Sequence, residues 1–113
     1  MPRPTKSRVV CCLPETQTFG PDRPGNEIVI LSVDQYETIR LIDLEKLTQE
    51  EASVQMNVAR TTVQGIYEEA RSIIADAIVN GKTLKIQGGS FKLCDHHNRF
   101  CGAHCHRGWN QEQ

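Results

Sequence analysis

Seven residues able to bind a soft or borderline metal ion stand close together near the C-terminus: Cys94, His96, His97, Cys101, His104, Cys105 and His106. A tetrahedral zinc site needs four thiolate or imidazole ligands at about 2 Å. Spacings of two to four residues let neighbouring ligands share one ion, and Cys101 with His104, Cys101 with Cys105, and His97 with Cys101 all qualify. Two more cysteines, Cys11 and Cys12, are adjacent near the N-terminus and join the site if the two ends of the chain meet. The candidate ligands are therefore Cys94, His97, Cys101, His104, Cys105, Cys11 and Cys12, with zinc the expected metal. An iron–sulfur cluster on Cys94, Cys101, Cys105 and one of Cys11 or Cys12 is the alternative. The competing explanation is a histidine-rich tail with adventitious affinity, with Cys11 and Cys12 as small apolar core residues. Five cysteines, an odd number, do not close a disulfide framework and suit a reducing compartment.

A chain of 113 residues makes one domain. Its net charge of −1 excludes a simple polybasic coat and an acidic solvating tail. That balance conceals zones. Residues 26–59 hold seven acidic and two basic side chains, whereas residues 60–93 hold three acidic and five basic. The longest apolar run, Val9 to Leu13, is too short to span a membrane or to serve as a signal peptide, so the expected location is the cytoplasm. No phosphate loop, nucleophile elbow or HExxH pair is present, and no enzymatic activity is expected.

All five prolines precede residue 25, which reads as an extended arm and loop. Ile28 to Leu31 is a β-branched run that predicts a strand. Ser32 with Gln35 makes a capping box for a helix from Val33 to Leu44, with Tyr36, Ile39 and Ile42 or Leu44 turned inward. Thr48 with Glu51 makes a second box, for a helix ending near Met56-Asn57. From Arg60 to Val79 the apolar residues Val63, Ile66, Tyr67, Ala70, Ile74 and Ala77 fall at spacings of three or four, one side of a long amphipathic helix closed by Asn80-Gly81. Lys82 to Gln87 alternates and predicts a second short strand, and Gly88-Gly89 ends the compact part.

The segment from Gln49 to Ile66 fits a DNA-binding helix-turn-helix. Ala52 and Ser53 are small where two helices must cross, and Asn57 tolerates the left-handed conformation of a tight turn. Met56, Val58, Val63 and Ile66 fill the wedge between the helices. The exposed start of the second helix must be short and polar or basic to enter the major groove, and Arg60, Thr61, Thr62 and Gln64 meet that need. Gln64 suits adenine, Arg60 a guanine or a phosphate, and the threonines a phosphate or a thymine methyl. Gln49 and the arm residues Arg3, Lys6 and Arg8 complete the candidate DNA-contacting set. Glu50, Glu51, Glu68 and Glu69 oppose it by repelling phosphates. Gly65 costs roughly 1 kcal/mol in a helix interior, either to allow close backbone approach or simply at a solvent-exposed position.

Several separated motifs carry a family resemblance. They are Met1-Pro2-Arg3-Pro4, Arg8 to Pro14, Leu31 to Glu37, Arg40 to Glu45, Leu47 to Ala52 and Gly81 to Gly89. Together they resemble the bacterial and archaeal family known as domain of unknown function 134, whose members are described as predicted DNA-binding proteins. The resemblance implies a helix-turn-helix similar to region 4 of sigma factors and a regulatory role. The expected fold is thus mainly α: a three-helix helix-turn-helix core with two short β-strands and an irregular Cys/His-rich C-terminal tail. Its divisions are an arm and loop over 1–27, the helix-turn-helix domain over 28–89 and the metal-binding tail over 90–113. The expected function is sequence-specific binding of double-stranded DNA as a transcriptional regulator, responsive to metal or redox state and assembled as a homo-oligomer. A metal-binding module that contacts protein and not DNA is the alternative.

Overall fold

The structure, a computed structural model, describes residues 7–22 and 27–94. Two capping boxes start its first two helices. The Ser32 hydroxyl accepts from the Gln35 N–H at 3.3 Å, and Gln35 Oε1 accepts from the Ser32 N–H at 2.9 Å. This opens α1 (Val33–Thr38). Thr48 and Glu51 repeat the exchange at 3.1 and 2.9 Å and open α2 (Gln49–Met56). Each box satisfies amide groups that a first helical turn leaves without partners. The long helix α3 (Arg60–Asn80) starts after Ala59, which makes no side-chain cap, and ends at Gly81 in the left-handed region. Its expected apolar stripe faces inward: Val63, Ile66, Ala70 and Ala77 are buried.

α1 does not continue as a regular α-helix to Leu44. From Ile39 to Leu44 the chain winds as a π-helical segment, and the Glu45 N–H donates to the Arg40 carbonyl at 2.9 Å. The wider turn brings both Arg40 and Leu41 into the core and leaves Leu44 68% exposed. Of the two inward residues that a 3.6 period allowed here, Ile42 packs inside and Leu44 does not.

Five short strands occur among the described residues, where two were expected: β1 (Arg8–Val10), β2 (Thr18–Phe19), β3 (Ile28–Leu31), β4 (Thr83–Ile86) and β5 (Phe91–Leu93). Three helices with these strands make a small mixed α/β domain, not a mainly α one. β4 lies between β3, with which it is parallel from Ile28↔Thr83 to Leu31↔Ile86, and β2, with which it is antiparallel. β1 pairs with β5 in parallel, Arg8↔Phe91 to Val10↔Leu93. The extra strands fall in stretches that read as a loose arm and as a chain end. Gly88 and Gly89, both at positive φ, carry the chain onward from β4. A side chain at Gly89 would run into Asp34 and Ser32, so only a glycine passes this close to the start of α1. The Val33 N–H then donates to Gly88 O at 2.9 Å, and β5 is laid beside β1.

Two of the apolar clusters among the described residues carry the helices. Val10, Leu31, Val33, Ala70 and Ile86 join the strands to α1 and α3. Leu41, Leu47, Ala52, Met56 and Val63 join the π-helical segment to α2 and α3. A buried ion pair accompanies them. Glu37 Oε1 and Oε2 accept from Arg40 Nε and Nη2 at 2.9 and 3.0 Å, and Oε2 also accepts from the Cys11 N–H at 3.2 Å. Arg40 further reaches Glu45 at 3.6 Å. Burial alone would lower the Arg40 pKa. The Glu37 hydrogen bond and charge, with Cys11 and Glu45 nearby, reverse that and hold it above its ordinary value. No helix among the described residues is long and apolar enough to cross a membrane.

Removing Glu37 takes the two shortest charge-assisted bonds from a guanidinium that is 5% exposed and leaves it the longer contact to Glu45. Glu37→Ala is expected to destabilise the fold by about 3–5 kcal/mol. Urea denaturation would show this as a lowered midpoint at unchanged slope.

Candidate functional site

α2 and α3 meet at a turn made by Asn57, with φ 58° and ψ 46°. The Asn57 N–H donates back to Val54 O at 3.2 Å and the Val58 N–H to Ser53 O at 3.1 Å. Beneath the turn Ala52, Met56 and Val63 are wholly buried, and Val58 packs alongside. Ser53 is also buried, its hydroxyl donating to Glu50 O at 2.6 Å, so both small residues lie where the helices approach.

This packing fixes which face of α3 meets solvent. Arg60, Thr61 and Gly65 are exposed, and Thr62 and Gln64 are half-buried. A Cβ added at Gly65 would meet open space. Arg60 Nη1 donates to Gln49 Oε1 at 3.0 Å, which brings together two residues singled out from the sequence. Gln64 Nε2 donates to Glu68 Oε2 at 3.4 Å. The first turn of α3 carries no acidic residue and Ala59 adds no capping acceptor, so the positive end of the helix dipole stays uncompensated by side chains. The exposed Glu50 and Glu51 at the start of α2 bring negative charge to the same joint.

One turn further on, the Tyr67 hydroxyl donates to Asp43 Oδ1 at 2.7 Å, and the Arg71 guanidinium lies 5.4 Å from the ring centroid. The bond to Asp43, and then desolvation, raise the Tyr67 pKa above its ordinary 10.0. Sequence reasoning placed Tyr67 only as part of the apolar stripe and missed this tie to the π-helical segment. Its signal is a phenol on the edge of that stripe.

Of the arm residues, Arg8 is not displayed to solvent. It lies in β1 with its side chain 16% exposed and its Nε 3.8 Å from Asp34 Oδ2. The β1–β5 ladder holds it there, so the structure gives Arg8 a place in the strand pairing beside Asp34. Arg3 and Lys6 lie outside the described residues, as do His97, Cys101, His104 and Cys105.

Three of the proposed metal ligands are described, and the structure brings them together. Cys11 and Cys94 are buried in one cluster with Val9, and Cys12 packs against it. None of the three is disulfide-bonded, and Cys11 Sγ lies 3.7 Å from Cys12 Sγ. Among the described residues no group of three or more His, Cys, Asp or Glu side chains is arranged to hold a metal ion. Elsewhere, an apolar groove of about 560 Å³ opens where β2 and β4 face α1 and the end of α3, lined by residues including Phe19, Tyr36, Ile74, Ile78 and Leu84.

Residues 1–94 match the family described as protein of unknown function DUF134. The chain belongs to the DUF134 family. A UPF0251 protein of Desulfitobacterium hafniense strain Y51 is 56% identical over 110 residues, covering 95% of this chain and 88% of the relative. A UPF0251 protein of Caldanaerobacter subterraneus is 44% identical over 117 residues, covering 100% of this chain and 99% of the relative. One of Caldicellulosiruptor bescii is 50% identical over 91 residues, where the match covers 80% of this chain and 65% of the relative. No solved structure matches this chain. The DUF134 match takes in the α2–α3 joint together with Cys11, Cys12 and Cys94, and it ends at Cys94.

The turn and the tyrosine tie can be checked separately. Asn57→Ala is expected to destabilise by about 1 kcal/mol, because the left-handed conformation is retained without an amide side chain to support it. Asn57→Gly is expected to be near neutral. A raised folded-state pKa makes the contribution of Tyr67 complete below its ordinary 10.0, and that contribution is lost as pH climbs through the folded value. The melting temperature of Tyr67→Phe should therefore lie below wild type at neutral pH, and the gap should close at strongly alkaline pH.

Proposed function

We propose that this chain is a sequence-specific DNA-binding protein and a transcriptional regulator, with α2, the Asn57 turn and α3 acting as a helix-turn-helix of the kind found in region 4 of sigma factors. The observation that carries the reading is the division of α3 at its N-terminal end. Val63, Ile66 and Ala70 are buried against the domain, whereas Arg60, Thr61 and Gly65 are exposed. A helix held by one face, with a short polar opposite face at its start, is the shape that enters a major groove.

In this reading Gln64 leaves Glu68 to make a bidentate contact with adenine N6 and N7, and Arg60 reaches a guanine edge or a phosphate. Gln49 keeps Arg60 extended until the duplex arrives, through the bond that already joins them. Thr61 and Thr62 take phosphates or a thymine methyl, and the N–H groups at the uncapped start of α3 favour a nearby phosphate. The carboxylates Glu50, Glu51 and Glu68 reduce non-specific attraction, which places more of the affinity on base contacts.

The test is selection of bound duplexes from a random pool, followed by affinity measurements on the enriched site. Gln64→Ala is expected to cost about 1–3 kcal/mol and relax preference at one base pair, and Arg60→Ala a similar amount. Arg60 is exposed and Gln64 half-buried with only a long bond to Glu68, so neither variant should alter the melting temperature by much. No enriched sequence, or full affinity in the double variant, would reject the proposal.

A further inference from the structure

We propose that Cys11, Cys12 and Cys94 form a thiolate site for one thiophilic divalent cation, with zinc the natural occupant. The inference stands on the strand ladder and not on DNA binding. The parallel register that ends at Val10↔Leu93 places Cys11 and Cys94 at neighbouring positions just beyond it, where the Cys94 N–H donates to Val10 O at 2.7 Å. Both are buried in the same cluster, and Cys12 lies against it partly buried.

The sulfur geometry suits this chemistry. Two thiolates on a tetrahedral zinc, each bonded at about 2.3 Å, stand about 3.8 Å apart. Cys11 Sγ and Cys12 Sγ stand at 3.7 Å. Two ligand positions are therefore already set at the edge length of the tetrahedron. The backbone ladder brings Cys94 alongside, and its side chain would have to turn towards that edge to complete a three-sulfur group, which is not preformed among the described residues. The three thiols release their protons to solvent as the cation binds.

Arg40, the buried guanidinium paired with Glu37, lies within electrostatic reach of Cys11. The Cys11 N–H is anchored on Glu37, so the first ligand is held by the ion pair that ties β1 to α1. A cation on all three sulfurs would join the ends of β1 and β5 and hold the two sequence-distant strands together. Three cysteines serving only as small apolar side chains would have no such effect.

Cobalt(II) titration of the full chain tests this. In the variant Cys101→Ser/Cys105→Ser, Cys11, Cys12 and Cys94 are the only thiols left. That variant is expected to take one equivalent of cobalt with a thiolate-to-metal charge-transfer band, to release it to zinc, and to melt at higher temperature with zinc than without. Adding Cys12→Ser, at a partly exposed position, should weaken cobalt binding by about tenfold or more, at least what an outer partner of a metal ligand is worth. Absence of the charge-transfer band from the Cys101→Ser/Cys105→Ser variant would overturn the proposal. So would undiminished affinity after Cys12→Ser is added.

Discussion

A carboxylate and a guanidinium with 1% and 5% exposure cannot be left without each other inside a small domain. Glu37 and Arg40 are so placed, and much of the architecture is arranged around their pairing. Arg40 reaches back to Glu37 in α1 and forward to Glu45 beyond the π-helical segment, so one side chain brackets the widened turn. The second Glu37 oxygen receives the backbone of Cys11 at the end of β1. One buried pair thus joins the N-terminal strand, the first helix and the segment that leads to α2.

The widened turn matters because of what it turns inward. Leu41 becomes wholly buried and sits in one cluster with Leu47, Ala52, Met56 and Val63. That cluster is the support on which α2 and the start of α3 rest. The Leu47 N–H bonds to Leu41 O at 2.9 Å, and Lys46, at φ 68°, makes the sharp corner that lets Thr48 begin the next helix. The angle at which α3 offers Arg60 and Gln64 to solvent therefore depends on packing several residues upstream. On the side of α3 near Asp43, the Tyr67 hydrogen bond adds a tie that no apolar contact supplies.

The opposite end of the molecule is closed by strand pairing. Gly88 and Gly89 pass so close to Ser32 and Asp34 that the chain after β4 is directed onto β1. The same constraint that completes the fold also gathers Cys11, Cys12 and Cys94. Glu37 touches Cys11 on one side and Arg40 on the other, so the ion pair links the cysteine cluster to the π-helical segment.

Local information in the chain determined the features set by nearest neighbours. Both capping boxes, the left-handed Asn57, the inward stripe of α3 and the stop at Gly81 follow from residues a few positions apart, because they are satisfied by hydrogen bonds or packing within one or two turns. The burial of Ala52, Met56 and Val63, with Val58 packed alongside, was legible for the same reason, since a tight turn between two helices requires small or apolar neighbours beneath it. Contacts between residues far apart in the chain were decided by tertiary structure. A three-residue strand such as Arg8–Val10 carries almost no periodic signal and becomes a strand only when Phe91–Leu93 supplies its hydrogen-bonding partners. The burial of Glu37 and Arg40 could not be read from their types, because charged side chains enter a core only where a partner already waits. The meeting of Cys11 and Cys12 with Cys94 depended on a parallel register, which no spacing along the chain encodes.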